Sequence, residues 1–427
     1  MKIEKLKQYH NIAILYGKEG KSALNFLKKL EIEKITVLDK NEILEREDIF
    51  YETGENYLQN LEKFDLIIKT PISPYVNNLL QYKEKLTSTI EIFLNNYKKV
   101  IGLTTKKSTT STVLYLTLQN AYKVKLVNIT PVLDEVDILS NENYDYIVFE
   151  MSSYMLELKA QLYIYLNNLY ICHYDWHFGE NYNNAKKNIL KIARKKIANI
   201  QTQEKLFLKV KYFEGTNIYY KDEKFFIDSE VVLEDKNFLL EGLHNRINIC
   251  GILAILNQIS ADYFGSNWVF FRLIQLKQTL ENFNLPHRIQ NITYKITFID
   301  DAIATTPDST MAAMKTFEKI TLFLGQDSFD FSKMIDLIGE SEIKNLVLFP
   351  DTLKIFDLSS FDFDKEFTLE IKIFNAFKTK SMEEAVKFAY KNTEKKICLL
   401  STASPSFSVW KSYVEKTLFQ EFVKKYE

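Results

Sequence analysis

The chain has 427 residues, with 55 basic and 56 acidic side chains and only 11 glycines. The balanced charge gives no electrostatic case for nucleic acid or an anionic membrane surface, and hydrophobic residues at 46% exclude wholesale disorder. At average usage about 30 glycines would be present, and the shortage should tell most in tight turns and phosphate loops, which need positive φ or close backbone approach.

Three scattered cysteines, Cys172, Cys250 and Cys398, form neither a disulfide framework nor a metal knuckle. The N-terminal residues lack the apolar core of a signal peptide, and no apolar run reaches the roughly 18 residues of a membrane helix. The expectation is a soluble, cytoplasmic protein of two to four domains at roughly 100–200 residues each.

Asn11-Ile-Ala-Ile-Leu-Tyr16 reads as a buried parallel strand. The turn Gly17-Lys-Glu-Gly20-Lys-Ser22 follows, and then a helical pattern through Leu24, Phe26, Leu27 and Leu30. A second strand, Ile35–Leu38, ends on Asp39. Strand, glycine turn, helix, strand and acidic residue is the outline of a nucleotide-binding βαβ unit, although many α/β domains keep such a turn for packing alone. Asp65–Lys69 is a further strand, running into Thr70-Pro71-Ile-Ser-Pro74.

Lys99-Val-Ile-Gly102 opens a second unit, and Thr104-Thr-Lys-Lys-Ser-Thr-Thr110 leads from it into a helical pattern over Val113–Ala121. Tyr146–Glu150 is a strand finishing on a carboxylate, and Leu169–Cys172 one finishing on His173. A third section starts near Pro286 and alternates the strands Thr297–Ile299, Ile320–Leu324, Asn345–Leu348 and Ile397–Leu400 with helices. The pattern predicts an α/β protein of three domains.

Lys107, Ser108 and Thr109 stand where a phosphate loop places its lysine against phosphates and its hydroxyl on Mg²⁺. A hydroxyl-rich helix cap after a basic turn is the alternative, since the glycine that should precede the lysine is missing. In a doubly wound sheet, strand C-termini and helix N-termini meet at one crevice. Glu150 and His173 there, beside Lys107, favour a metal–nucleotide site.

With these residues in view, the chain resembles the Mur ligases of peptidoglycan synthesis, most closely those that add glutamate to UDP-N-acetylmuramoyl-L-alanine. The resemblance rests on Ile101–Thr110, Phe149–Glu157, His173-Tyr-Asp-Trp-His177, Asn183–Ile189 and Gly242-Leu-His-Asn-Arg-Ile-Asn248. Leu285-Pro-His-Arg288, Asp300–Pro307 and Leu400–Phe407 extend it to the C-terminal section. It implies a Rossmann-like N-terminal domain over 1–94 for the UDP substrate. A P-loop-type central ATPase domain over 95–285 and a Rossmann-like C-terminal domain over 286–427 for the amino acid would follow.

The resemblance further implies an acyl-phosphate mechanism with ATP and two Mg²⁺ sites. Lys107 would neutralise phosphate charge, with Thr104, Thr105, Lys106, Ser108 and Thr109 completing the loop. Ser108 and Glu150 would hold one Mg²⁺ and His173 the second, and Lys186 would be the carbamylated lysine. Asn245, Arg288 and Asp301 match positions that contact adenine and ribose. Gly17, Ser22 and Asp39 match the UDP grip, and Asn128 and Ser152 the muramoyl-alanine end. Ser401, Ser406, Phe407 and Tyr413 match the pocket of the incoming glutamate. The expected partners are UDP-N-acetylmuramoyl-L-alanine, ATP and glutamate, with no nucleic acid and no membrane, and the chain is expected to be a monomer.

Against the family pattern, single glycines drop out while their neighbours stay in order. The phosphate loop is short of two, and others are missing between Leu15 and Tyr16, after Pro71 and around Val127–Thr130. Decay would leave an inactive UDP-sugar-binding protein, but it should also have replaced Lys107, Glu150, His173 and Lys186. The expectation is therefore that the gene specifies glycines this polypeptide sequence omits, as when UGA encodes glycine and is passed over. Ile303 and Ser328 replace frequent family lysines, so a ligase using L-Glu rather than D-Glu is a further alternative.

Overall fold

A computed structural model describes residues 1–17, 19–43, 49–70, 79, 81–97, 99–104, 109–128, 131–135, 139 and 143–156. It further describes 166–171, 195–199, 211–213, 217–240, 242–263, 266–283, 290–293, 296–302, 304, 307–317 and 320–325. The remaining described segments are 343–349, 367–369, 372–379, 381–393, 397–403 and 418–426. They form two compact units, one of residues 1–235 and 248–279, the other of 236–247 and 280–427.

In the first unit, β1 (Asn11–Leu15), β2 (Lys34–Asp39), β3 (Phe50–Thr53), β4 (Leu66–Lys69) and β5 (Leu86–Ser88) make a sheet of order β3-β2-β1-β4-β5. Every pairing in it is parallel. Strands buried on both faces need continuous apolar runs, and Ile12–Leu15 and Leu66–Lys69 are buried throughout. The helix Thr89–Asn96 follows β5 and is N-capped by Ser88, whose Oγ accepts the Glu91 N–H at 3.1 Å.

The second sheet joins β6 (Val100–Thr104), β7 (Val124–Val127), β8 (Tyr146–Glu150), β9 (Leu166–Ile171), β10 (Lys196–Asn199) and β11 (Lys211–Phe213). Its order is β11-β10-β9-β6-β8-β7, again wholly parallel. One hydrophobic cluster runs from Ile12, Ile14 and Leu27 through Ile92 and Phe93 to Val100, Ile147 and Phe149, so the first two sheets share a core. An antiparallel sheet of β12 (Ile218–Lys221), β13 (Lys224–Ile227) and β14 (Glu230–Glu234) follows. It was not part of the sequence expectation, because its apolar runs, Phe225-Phe226-Ile227 and Val231-Val232-Leu233, are only three residues long between charged residues.

The second unit holds β15 (Gln290–Thr293), β16 (Thr297–Asp300), β17 (Ile320–Leu324), β18 (Asn345–Leu348), β19 (Phe367–Leu369), β20 (Lys372–Lys378) and β21 (Ile397–Leu400). Their order is β15-β16-β21-β17-β18-β20-β19, with antiparallel strands only at the two edges. Phe298, Phe323, Phe349 and Phe419 are buried together beneath it. The fold is thus α/β with parallel sheets. Among the described residues no helix is long and apolar enough to cross a membrane.

Candidate functional site

At the β6–β8 crevice, the parallel register sets Leu103 opposite Glu150, and Met151 N–H donates to Leu103 O at 2.7 Å. The helix Thr109–Gln119, next in the chain among the described elements, starts four residues before the apolar pattern suggested because its first turn consists of hydroxyl residues. Glu150 is buried, and its Oε2 accepts a hydrogen bond from Ser111 Oγ at 3.0 Å. Thr104 Oγ1 and Thr110 Oγ1 are also buried there, and neither has a hydrogen-bond partner. A buried hydroxyl without a partner is costly unless a ligand supplies one. A carboxylate beside such hydroxyls is an oxygen donor set that suits a hard divalent cation and phosphate oxygens.

Thr104 also pairs with Ile171, the last residue of β9. Thr105, Lys106, Lys107, Ser108, His173 and Lys186 lie outside the described residues. Among the described residues no group of three or more His, Cys, Asp or Glu is arranged to hold a metal ion.

At the crevice of the first sheet Gly17 and Asp39 come together. Gly17 takes a positive φ of 48° after β1, and its N–H donates to Asp39 Oδ2 at 3.2 Å. Gly20 is required by close approach, since a Cβ there would lie 2.3 Å from the Tyr16 ring. Ser22, in the first turn of the helix Gly20–Lys29, is buried with its hydroxyl unpartnered. Glu19 joins this crevice without having been singled out from sequence. It is 8% exposed, its Oε2 has no hydrogen-bond partner, and its pKa is pushed up to about 7. Burial is the main cause; the Asp134 carboxylate adds to it and Lys69 opposes it.

Asn128 follows β7 and is exposed. Ser152 follows Glu150, and its Oγ accepts the Met155 N–H at 3.3 Å, capping the short helix Ser153–Leu156. In the second unit Asn245 is buried in the first turn of the helix Leu243–Tyr263, its N–H donating to Gly242 O at 3.0 Å. Asp301 and Ser401 lie side by side where β16 and β21 end, both fully buried, with Ser401 Oγ donating to Asp301 Oδ2 at 2.9 Å. Arg288, Ser406, Phe407 and Tyr413 lie outside the described residues, as do Ile303 and Ser328.

Ser111 and Thr110 were also missed from sequence. The run Thr109-Thr-Ser-Thr112 was visible, but nothing in it showed which hydroxyl would meet Glu150.

No protein-family model matches the chain. It is 28% identical over 459 positions to the UDP-N-acetylmuramoylalanine–D-glutamate ligase of Clostridium perfringens, covering 97% of this chain and 96% of that one. It is also 28% identical over 411 positions to the enzyme of the same name from Clostridium tetani, covering 87% and 85%. The alignment is 459 positions long, more than the 427 residues here, so the C. perfringens sequence carries residues opposite gaps in this chain. Among solved structures, the MurF ligase of Thermotoga maritima in complex with ADP superposes with a TM-score of 0.58 at 14% identity, over 99% of this chain and 97% of that one. The chain is thus a relative, over nearly its whole length, of the UDP-N-acetylmuramoylalanine–D-glutamate ligases, and it has the α/β fold of a Mur ligase.

Proposed function

We propose that the chain is an ATP-dependent, amide-bond-forming ligase of peptidoglycan precursor synthesis. In this reading it acts in the cytoplasm as a monomer and joins glutamate to UDP-N-acetylmuramoyl-L-alanine. The observation that carries the proposal is the similarity to the clostridial D-glutamate ligases along 97% of the chain. The buried Glu150 carboxylate among unpartnered hydroxyls, at the crevice where such a ligase needs its phosphate site, supports it.

In this reading a substrate carboxylate oxygen attacks the γ-phosphorus of ATP and ADP leaves. The amine of glutamate then attacks the acyl carbon, loses its proton, and phosphate departs from the tetrahedral intermediate. Catalysis of this kind rests on positioning and electrostatic stabilisation. Lys107 holds the charge on the transferring phosphoryl group, and Thr104–Thr109 line it. Ser108 and Glu150 would hold one Mg²⁺ and His173 a second, and these ions would supply charge neutralisation at the phosphate oxygens. Lys186, once carbamylated, presents a carboxylate where a free ammonium would repel the cation.

Asn245, Arg288 and Asp301 receive the nucleoside, and Gly17, Ser22 and Asp39 receive the UDP group. Asn128 and Ser152 flank the muramoyl-alanine end, and the segment holding Ser406, Phe407 and Tyr413 takes the amino acid. The division of labour follows residues 1–94, 95–285 and 286–427.

The test is phosphate release with UDP-N-acetylmuramoyl-L-alanine and ATP, with and without Mg²⁺, on adding D-Glu or L-Glu. Release that depends on D-Glu is expected. Release with L-Glu alone would reassign the amino acid. UDP-sugar binding without any release would favour the non-catalytic reading that the short phosphate loop raises.

A further inference from the structure

The second unit contains a chain of buried hydroxyls that the reading above leaves unexplained. Asp300 of β16 pairs with Leu400 of β21, and Asp301 N–H donates to Leu400 O at 2.9 Å, so Asp301 and Ser401 leave their strands at the same level. Ser401 Oγ lies 2.9 Å from Asp301 Oδ2. Thr310, on the helix Pro307–Met314, has its Oγ1 2.8 Å from Ser401 Oγ and 3.1 Å from Ser401 O. Asp301, Thr310 and Ser401 are each 0% exposed.

The donor direction at Asp301 fixes that of the chain. Ser401 Oγ donates its single proton to Asp301 Oδ2. Thr310 must then donate its own proton toward Ser401, shared between the hydroxyl and the carbonyl. The loop after β21 has little room to adjust. Gly325 N–H donates to Thr402 O at 3.0 Å, Thr402 Oγ1 donates to Ala304 O at 3.4 Å, and Ala403 sits at a φ of +59°. Three segments, leaving β16, β17 and β21, are tied together at Thr402, the neighbour of Ser401.

We propose that Ser401 and Thr310 are positioning residues for Asp301: the chain Thr310→Ser401→Asp301 orients the carboxylate that meets the nucleotide sugar. This rests on the nucleoside role proposed above for Asp301. It differs from the sequence expectation for Ser401, because a hydroxyl spent on Asp301 serves the nucleotide and not the incoming amino acid. Hydrogen bonds to charged groups are among the stronger ones in proteins, and their loss should be read in nucleotide affinity.

The experiment titrates ADP with Mg²⁺ into the full chain by calorimetry, alongside thermal unfolding and the KM for glutamate. Asp301→Ala, Ser401→Ala, Ser401→Thr, Thr310→Val and Thr310→Ser are compared with the parent. Ser401→Ala and Thr310→Val should each weaken ADP about tenfold, with the KM for glutamate within about twofold. Ser401→Thr and Thr310→Ser, which keep the hydroxyls, should restore ADP affinity even where the melting temperature falls. If Asp301→Ala weakens ADP but Ser401→Ala and Thr310→Val do not, the positioning role is overturned while the nucleoside role stands. Equal losses in Ser401→Ala and Ser401→Thr would also overturn it, as would a rise in glutamate KM without loss of ADP affinity. If Asp301→Ala leaves ADP binding unchanged, the nucleoside role of Asp301 fails and the proposal fails with it.

Discussion

Replacing Glu19 by Gln should stabilise the protein in a pH-dependent way. Glu19 is 8% exposed, and its Oε2 is sealed from solvent without a hydrogen-bond partner. Its pKa rises from 4.5 to about 7, first through burial and then through Asp134, against the pull of Lys69. A folded-state pKa above the unfolded one means that the native protein binds more protons across that window. The native carboxyl therefore contributes stability that is fully present below pH 4.5 and is lost as pH rises through about 7. At about 1.36 kcal/mol per unit, the shift sets a ceiling of about 3.4 kcal/mol. Relaxation and water penetration as the carboxyl ionises reduce this to about 1–2 kcal/mol. Urea denaturation of parent and Glu19→Gln proteins at pH 5 and pH 8 measures the difference. The Gln variant should gain about 1–2 kcal/mol relative to the parent between the two pH values. A difference that stays constant across this range would refute the assignment of the strained charge to Glu19.

Other outcomes follow from the site and the turns. Lys186→Ala should abolish ligase turnover, with partial recovery on adding small carboxylates; unchanged turnover would remove Lys186 from the site. Ser229 holds a φ of +69° in the two-residue turn between β13 and β14, so Ser229→Gly should raise unfolding stability by about 1 kcal/mol in chemical denaturation. The coding DNA should carry a UGA triplet between the codons for Thr104 and Thr105, and a continuous reading without one would end the case for omitted glycines there.

Much of the first two sheets was legible because parallel strands announce themselves as continuous apolar runs. Tyr146–Glu150 was read to the residue, and β1, β2, β4 and β6 to within two residues at each end. The strand ends then pointed to Asp39 and Glu150, since side chains that leave a buried parallel strand at its C-terminus meet the crevice. The glycine shortage was equally plain in the composition. Its backbone consequence was not: Glu31, Asn60, Asp222, Glu223, Asp228, Ser229 and Ala403 occupy positive φ, a region glycine enters at least cost. Asp222–Glu223 and Asp228–Ser229 are hairpin turns that an Asn-Gly pair would ordinarily signal, so the β12–β14 sheet had no turn signature to read.

By itself, the sequence determined the strand-and-helix alternation and the carboxylates at strand ends, because burial and periodicity act over a few neighbouring residues, while its ordered motifs carried the family likeness. Only the tertiary structure decided which polar groups share a proton or a charge. Ser111 meets Glu150 across 39 positions and Ser401 meets Asp301 across 100. Glu19 draws its raised pKa in part from Asp134, on a helix beyond the second sheet's β7. Such pairings depend on strand register and helix placement, and those are set by how whole sheets close over a common core.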